Sequence, residues 1–334
     1  MGVGPLVSSD EIRRELEAKY EERLKRFRIL VCIDGEDECY RGLQYAARMG
    51  GAREDCDIIL LYVRPIDQGL ATGGLQVRVA RENMLSWGLE LPGMRRLKKG
   101  LSMLVEDKEM EAEWASVVTH TDIEGDPLGD NKIEYRHPSG RSIVLKLKVA
   151  PDAASGILDQ YELGPYNVII LGSGSSGRSR LRAALSPSTA EKVALHAPCS
   201  VFVARDLVAG HGHLVCVDGT PQSIEAAKEE AIIASRFPDP KVSAICVAPD
   251  GSMTDEAQGI VDNAEKVLQD ELGFQLRATY VRVGDPVDEI VEAGRDYSAI
   301  VLGGSTKSTL QRMITSSIPL DVMRKAPNSV MIIR

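Results

Sequence analysis

The chain has 334 residues, of which 43% are hydrophobic and 27% charged, and this suits two globular domains or one large one. Its formal net charge of -9 disfavours anionic partners, so we expect neither nucleic acid nor a membrane surface among its partners. No apolar run approaches the roughly 18 residues that a membrane span needs, and the first residues, MGVGPLVSSDE, lack the pattern of a secretory signal. The six cysteines form no CxxC pair, so we expect a cytoplasmic protein with neither a disulfide framework nor a zinc site.

An N-terminal segment, residues 1–27, is predicted to contain a charged amphipathic helix over residues 9–26. Ser8 and Glu11 match a capping box, and an apolar stripe follows along one face of the helix. The sequence leaves two roles open for this stripe, which are packing on its own domain and a dimer contact.

A first α/β unit is predicted over residues 28–206, with an insertion at about 67–141. Its regular part comprises strand 28–33, helix 37–49, strand 57–63, helix 150–161, strand 167–171 and a last strand at 199–204. Within and beside the insertion, residues 95–113 indicate a helix, whose basic run at 95–99 is interpreted as a solvated face, and residues 132–149 indicate a β-hairpin. Both tryptophans lie in or beside the insertion, so we expect it to pack near the cleft of the first unit and to mediate self-association or partner binding.

A second α/β unit over residues 213–334 repeats the first. The matched segments are LVCIDG and LVCVDG at 30–35 and 214–219, NVIILG and SAIVLG at 167–172 and 298–303, and HAPCSVFVAR and KAPNSVMIIR at 196–205 and 325–334. Asp34 and Gly172 are 138 residues apart, whereas Asp218 and Gly303 are 85 apart, so the first copy carries about 53 extra residues. The connection between the copies contains His211 and His213, which are interpreted as solvated linker residues.

The second copy shows the plan without an insertion. It comprises strands at 213–217, 241–247, 276–283, 298–302 and 329–333, and helices at 221–235, 254–271, 286–295 and 317–325. Apolar strands that alternate with helices predict a parallel sheet with helices on both faces. The fold class is therefore α/β, with two tandem doubly wound, Rossmann-like domains, and ligands are expected at the carboxyl ends of the strands.

A glycine-rich loop, GSGSSG at 172–177, follows a strand of the first copy and precedes a predicted helix. Such a loop lets backbone N–H groups approach a phosphate. Its GxGxxG spacing also occurs in dehydrogenases, but the acid expected about 20 residues later is missing, and the second copy has GGSTKS instead.

With these segments the chain resembles the universal stress proteins. Members that bind ATP carry Gly, two residues, Gly, nine residues, Gly, then Ser or Thr. The first copy matches this pattern at Gly174, Gly177 and Ser188, with Pro187 in place of a glycine. The second copy matches it at Gly303 and Ser317, with Thr306 and Ser316 in place of glycines. The resemblance implies an adenine nucleotide alpha hydrolase-like fold. The nucleotide-binding residues that it implies, with their neighbours, are Asp34, Val63, Gly172, Gly174, Gly177, Arg178, Ser188 and Thr189 in the first copy and Asp218, Val247, Gly284, Gly303, Ser316 and Ser317 in the second.

Each of these residues also has a purely structural interpretation. Asp34 and Asp218 fit turn or helix caps, the glycines fit turns, and Ser188 and Ser317 fit helix N-caps. We expect the first copy to be the better binder, because Thr306 restricts the backbone of the second loop.

The resemblance implies a stress-response protein that binds ATP or AMP, with Mg²⁺ if ATP is bound, and that acts by binding, with no catalytic residue assigned. The alternatives are a nucleotide-free dimeric scaffold and a weak ATP-hydrolysing enzyme. We also expect a homodimer, and we expect the last strands of the two copies, 199–204 and 328–333, to pair antiparallel.

Overall fold

The computed structural model describes residues 17–66 apart from residue 19, and residues 93–123, 126–173, 188–205, 211–304 and 317–334. The strands of the first copy are β1 (Phe27–Cys32), β2 (Cys56–Pro65), β3 (Ala115–Ile123), β4 (Asp126–Arg136), β5 (Ser142–Ala150), β6 (Val168–Gly172) and β7 (Ser200–Ala204). Those of the second copy are β8 (His213–Cys216), β9 (Val242–Ala248), β10 (Thr279–Val283), β11 (Ala299–Gly303) and β12 (Ser329–Ile333).

Within each copy the α-helices alternate with these strands except between β2 and β5, where two helices precede three consecutive strands. They are α1 (Asp37–Ala46), α2 (Met94–Ser102), α3 (Asp107–Glu113), α4 (Ala153–Leu158), α5 (Thr189–His196), α6 (Pro221–Ala234), α7 (Thr254–Leu272), α8 (Pro286–Gly294) and α9 (Ile318–Lys325). A π-helical turn (Ala47–Gly51) extends α1, and 3₁₀ turns (Asp159–Leu163 and Gly251–Met253) lie next to α4 and α7. Of the predicted N-terminal helix, residues 17–18 and 20–24 are helical.

All twelve described strands form one sheet in the order β10-β9-β8-β11-β12-β7-β6-β1-β2-β5-β4-β3. Each half has the order third, second, first, fourth, fifth strand, and within each half these five strands are parallel. The order is that of a doubly wound fold, which confirms the predicted fold class.

Two helical layers cover the sheet, because the central strands are apolar on both faces. One face packs against α1, α2, α6 and α7, through side chains such as Leu43, Leu97 and Val261. The other face packs against α4, α5, α8 and α9, through side chains such as Ile157, Val193 and Val322. A strand that is buried on both faces reads as a continuous apolar run, which is why these strands were predictable.

The last strands of the two copies join the halves of the sheet. β7 and β12 pair antiparallel, with Phe202 opposite Met331 and Val201 opposite Ile332. The predicted pairing is therefore confirmed, and each copy protects the edge strand of the other.

The insertion differs from its sequence-based description in three respects. The predicted hairpin exists, but its second arm, β5, pairs parallel with β2 and is the third strand of the repeated unit. The first arm, β4, and the unpredicted β3 extend the sheet beyond it. The single helix predicted over 95–113 is two helices, because the intervening Val105 turns into the core with 6% exposure.

His213 is not the solvated linker residue that the sequence analysis predicted. It is the first residue of β8 and is only 6% exposed, and its Nδ1 contacts a carboxylate oxygen of the fully buried Glu230. Its Nε2 lies 3.4 Å from the Tyr45 hydroxyl of the first copy, and Tyr45 stacks on Phe202 at 4.1 Å. His213 therefore belongs to the junction between the copies, whereas His211 is exposed as expected.

Candidate functional site

The strand order places a crevice beside the first strand of each copy. β1 lies between β2 and β6, and β8 lies between β9 and β11. Cys32 is level with Leu171, and Cys216 with Leu302, so the residues that follow these strands meet at one edge of the sheet. Ligands of doubly wound folds bind at this kind of switch point, outside the carboxyl ends of the strands.

Asp34 and Asp218 lie at equivalent positions, two residues beyond β1 and β8, and both are exposed. Oδ1 of Asp34 accepts a hydrogen bond from the Glu36 N–H at 3.0 Å, and Oδ1 of Asp218 accepts one from the Thr220 N–H at 3.0 Å. Each carboxylate thus stabilises the turn after its strand, which is the structural role that the sequence left open.

The protonation of Asp218 follows from these contacts. Burial raises the pKa of Asp218, but hydrogen bonds from Thr220 and Ser223 outweigh that effect and hold the pKa below its ordinary value. The side chain is therefore an anion at neutral pH and accepts hydrogen bonds without donating any. An acceptor of this kind suits the hydroxyl groups of a sugar and repels a phosphate.

Val63 and Val247 lie at equivalent places in β2 and β9, and both are half-buried. The methyl groups of Val63 pack against Gly156 of α4, where an added Cβ would come within 2.6 Å. The two valines line the same side of the sheet as α4 and α8, where an apolar wall meets the crevice.

Gly172 ends β6, where helix α1 passes very close. A Cβ on Gly172 would lie 2.6 Å from the backbone nitrogen of Cys39, in the first turn of α1. Gly303 holds the equivalent position at the end of β11 with more room, because its nearest neighbours, such as the Ala226 Cβ, would lie at 3.3 Å. The packing of α1 accounts for a glycine at 172 without any ligand.

Ser188 is the N-cap of α5 and forms a complete capping box with Glu191. Its Oγ accepts a hydrogen bond from the Glu191 N–H at 3.1 Å, and its own N–H donates to Glu191 Oε2 at 2.7 Å. Glu191 also receives a hydrogen bond from Arg324 of the second copy at 2.5 Å. Burial raises the pKa of Glu191, but the Arg324 and Ser188 contacts outweigh it and lower the pKa, so a carboxylate occupies the start of α5.

Ser317 is the N-cap of α9 in the second copy, but its side chain makes no capping hydrogen bond. The residue three positions into α9 is Leu320, so no carboxylate lies where Glu191 lies in the first copy. Thr189 is the first residue of α5 and is half-buried. The two helix N-termini therefore differ in where the carboxylate lies, because the first turn of α9 carries Asp321, one residue further along, and no capping box.

Gly284 follows β10 and has a φ of +147°, a conformation that favours glycine. Asp285 then caps α8, because its Oδ1 accepts hydrogen bonds from the N–H groups of Val287 and Asp288 at 3.0 and 3.1 Å. The remaining predicted residues, Gly174, Gly177, Arg178 and Ser316, lie outside the described residues, as do Pro187 and Thr306.

Arg96 of helix α2 reaches the crevice of the first copy. A Cβ on Gly35, next to Asp34, would lie 2.6 Å from Arg96 Nε. Arg96 Nη1 donates a hydrogen bond to the Tyr62 hydroxyl at 3.3 Å, and the guanidinium lies 5.3 Å from the centre of the Tyr62 ring. The exposed basic run is therefore partly held over aromatic rings beside the crevice, a position that its sequence does not reveal.

The thiols near the crevices are poor nucleophiles. Burial raises the pKa of Cys39 to about 12, and burial likewise raises the pKa of Cys32 and Cys216. Thiols with such pKa values stay protonated at neutral pH.

The described ranges offer neither a metal site nor a membrane-spanning helix. They contain no group of three or more His, Cys, Asp or Glu side chains placed to hold a metal ion. Across the same parts of the chain, every helix is too short or too polar to cross a membrane.

Comparisons with known proteins agree with this geometry. The sequence model described as the universal stress protein family matches residues 25–205 and again residues 213–334. No curated protein matches the chain.

Three solved structures illustrate the similarity. A universal stress protein from Archaeoglobus fulgidus DSM 4304 is 17% identical, with 92% of this chain and 96% of that chain covered and a TM-score of 0.52. A putative universal stress protein from Pseudomonas aeruginosa UCBPP-PA14 is 16% identical, with 94% of each chain covered and a TM-score of 0.54. A shorter one from Archaeoglobus fulgidus, in complex with dAMP, is 23% identical over 37% of this chain and 97% of that chain, with a TM-score of 0.30. The first two structures share their fold with nearly the whole length of this chain.

Proposed function

Since this chain belongs to the universal stress protein family, its two halves both matching that family, we propose that it is a cytoplasmic stress-response protein that binds an adenine nucleotide, ATP or AMP. It acts by binding rather than by turnover. The observation that carries the proposal is the duplicated crevice, in which a strand-end aspartate, a strand-end glycine and a helix N-terminus with serine at its N-cap position share one edge of the sheet.

Each element of the crevice suits one part of a nucleotide. Asp34 or Asp218 accepts hydrogen bonds from ribose hydroxyls, and Val63 or Val247 gives the base an apolar contact. The glycine loops, with Gly174, Gly177, Arg178 and Ser188 in the first copy and Ser316 and Ser317 in the second, bind the phosphates through backbone N–H groups and hydroxyls. Mg²⁺ accompanies ATP on its phosphate oxygens.

Arg96 adds a cation to the first copy, whereas in the second copy the apolar Ile260 of α7 lies against Gly219, the equivalent of Gly35. The position of Arg96 over Tyr62 and beside Gly35 brings the guanidinium to the rim of the first crevice. A cation there attracts a polyphosphate and favours the first copy over the second.

The direct test is the nucleotide content of the purified protein after denaturation, identified by mass spectrometry and followed by calorimetry with ATP and AMP. We expect bound or titratable adenine nucleotide and no steady release of phosphate. Arg96→Ala should weaken ATP binding severalfold, whereas Arg95→Ala, at an exposed position of the same helix, should not. Sustained ATP hydrolysis would identify a weak enzyme instead.

One observation favours the nucleotide-free scaffold as a second candidate. The carboxylate of Glu191 already occupies the N-terminus of α5, where a phosphate is expected to bind. A protein without nucleotide, and without measurable affinity for ATP, AMP or cAMP, would support this candidate. In either case we expect the chain to form a homodimer.

A further inference from the structure

β3 is an open strand at one end of the sheet. Within the described part of the chain it pairs only with β4. Val117 and Val118 are 64% and 71% exposed. Because neighbouring residues of a strand face opposite sides, these two values mean that both faces of β3 are uncovered.

The first seven residues of β3 lack the features that usually protect an edge strand, whereas Asp122 and a shift in the pairing with β4 lie at its far end. Residues 115–121 read ASVVTHT, with no Lys, Arg, Asp, Glu or Pro. The shift in its pairing with β4 occurs only after Thr121, so the seven residues before it are regular. An uncharged, regular edge of this length, rich in β-branched residues, readily pairs with another strand.

We propose that β3 pairs antiparallel with β3 of a second copy of this chain and so forms a homodimer with one continuous sheet. A twofold axis at Val118 sets Val118 opposite Val118, and Val117 opposite Thr119 in both halves of the pairing. β-branched pairs of this kind stabilise antiparallel strands. The same register sets Asp122 opposite Trp114 and not opposite another carboxylate, so no like charges meet.

The occupant is a second copy because the other described edges are less suitable. The edges of β7 and β12 are already paired with each other. At the far end of the sheet, β10 is only five residues long and carries Arg282. Pairing of β3 with β10 would be head-to-tail and would produce open polymers, whereas pairing of β3 with itself closes as a dimer.

This inference rests on the homodimer of the proposed function but not on nucleotide binding. The two parts can therefore fail separately. A variant that loses the dimer should keep the nucleotide content of the wild type, because β3 lies beyond β5 and β4 from the first crevice.

The first test measures mass in solution over about a hundredfold range of concentration. The wild type should approach twice the 36.3 kDa of one chain at the high end. Val118→Lys places two ammonium groups opposite each other and should weaken the dimer at least tenfold. Val283→Lys, at a 46% exposed position of β10, is the matched control and should dimerise like the wild type.

The second test uses the twofold axis. Residues that lie directly opposite each other in antiparallel strands, whether hydrogen-bonded to each other or not, have a Cα separation that a disulfide can span. Val118→Cys should therefore cross-link two chains under mild oxidation. Val283→Cys should not. The six native thiols should react little under these conditions, because burial raises the pKa of each of them.

Three results would overturn the proposal. One is a wild type that stays monomeric at every concentration. Another is a dimer that is unaffected by Val118→Lys and does not cross-link through Val118→Cys. The third is a series of larger oligomers that Val283→Lys abolishes, which would indicate pairing of β3 with β10.

Discussion

Arg205 of the first copy and Arg334 of the second copy each cap the C-terminus of a helix in the other copy. Arg205 follows β7, and its guanidinium donates to the carbonyl groups of Met323, Ala326 and Asn328 at the end of α9. Arg334 follows β12, and its guanidinium donates to the carbonyl groups of Ala194, Leu195 and Ala197 at the end of α5. Terminal helix carbonyls lack partners within the helix and favour cations, so the two arginines join the copies from both sides.

Loss of either arginine should destabilise the whole chain. Arg205→Ala is expected to lower the free energy of unfolding by about 2–4 kcal/mol, because three buried carbonyl groups lose charged donors. Arg205→Lys should recover only part of this, since an ammonium cannot reproduce the fork of the guanidinium. Urea denaturation followed by circular dichroism measures the effect. Arg295→Ala, which removes an exposed ion pair with Glu292, is the control and should change the stability by no more than about 0.5 kcal/mol.

The equivalent glycines Gly172 and Gly303 should respond differently to the same substitution. Gly172→Ala forces α1 away from β6, because the new Cβ would lie 2.6 Å from the Cys39 nitrogen, and overpacking of this kind costs about 1–3 kcal/mol. Gly303→Ala meets its neighbours at 3.3 Å and should cost clearly less. Thermal unfolding of the two variants compares them directly. Equal losses would mean that the two copies pack their first helices in the same way.

The elements that the sequence predicted well are those with two buried faces. β6 and β11 are apolar throughout, and the repeat predicted their equivalence, whereas the apolar edges and the family resemblance predicted the pairing of β7 with β12. β3 was missed because its residues are exposed on both faces and carry no burial pattern. Ser188 was predicted as a helix N-cap but without its partner Glu191, although the two form the pattern S-x-x-E, whereas the placement of Arg96 beside Gly35 depends on tertiary packing that no local pattern encodes.

Lys146 should make the stability of the protein depend on pH in the neutral to alkaline range. Burial, followed by the nearby cations Arg28, Lys132, Arg23 and Lys148, lowers the pKa of Lys146 to about 7. An unfolded lysine has a pKa of about 10.4, so unfolding takes up a proton between these two values. Because the unfolded state binds more protons there, stability increases as the pH rises through that window.

The variant Lys146→Gln removes this titration while it keeps a polar group near Gln160, whose Oε1 accepts a hydrogen bond from Lys146 at 3.1 Å. Between pH 7 and 9 the wild type should gain stability relative to the variant by at most about 1.4 kcal/mol per pH unit. The gain should be smaller in practice, because Lys146 is partly exposed to solvent. Denaturation curves at pH 7, 8 and 9 provide the measurement, and parallel pH profiles of the two proteins would contradict the prediction.

Glu191→Gln should strengthen nucleotide binding at the first copy. A glutamine keeps the hydrogen bond of the capping box to Ser188, but it removes a negative charge from the helix N-terminus where a phosphate is expected. We expect an increase in ATP affinity of roughly threefold to tenfold, which corresponds to about 0.6–1.4 kcal/mol. Calorimetry with ATP measures it. The matched variant Asp321→Asn, in the first turn of α9, should leave the first site unchanged.

The two sites should bind unequally, with the first copy the tighter. Its loop keeps Gly174 and Gly177, whereas the second loop has Thr306 where the family has glycine; a β-branched residue at a glycine position is expected to restrict the backbone, and strain of that kind costs about 1–3 kcal/mol. That cost corresponds to roughly 5- to 150-fold in affinity. Pro187 acts in the opposite direction by removing one N–H donor from the first loop, but Gly177, Arg178 and Ser188 remain to bind the phosphates.

Calorimetry with ATP on Gly177→Val and Ser317→Ala separates the two sites. Gly177→Val should abolish the tighter site, and it avoids the loss of the Ser188 cap, which would cost about 1 kcal/mol of stability and confuse the result. Ser317→Ala should leave the tighter site intact, and because the Ser317 side chain makes no capping hydrogen bond, any change in binding reflects contact with the ligand. Equal losses in the two variants, or loss in Ser317→Ala alone, would show that the second copy is the better binder or that the copies are equivalent.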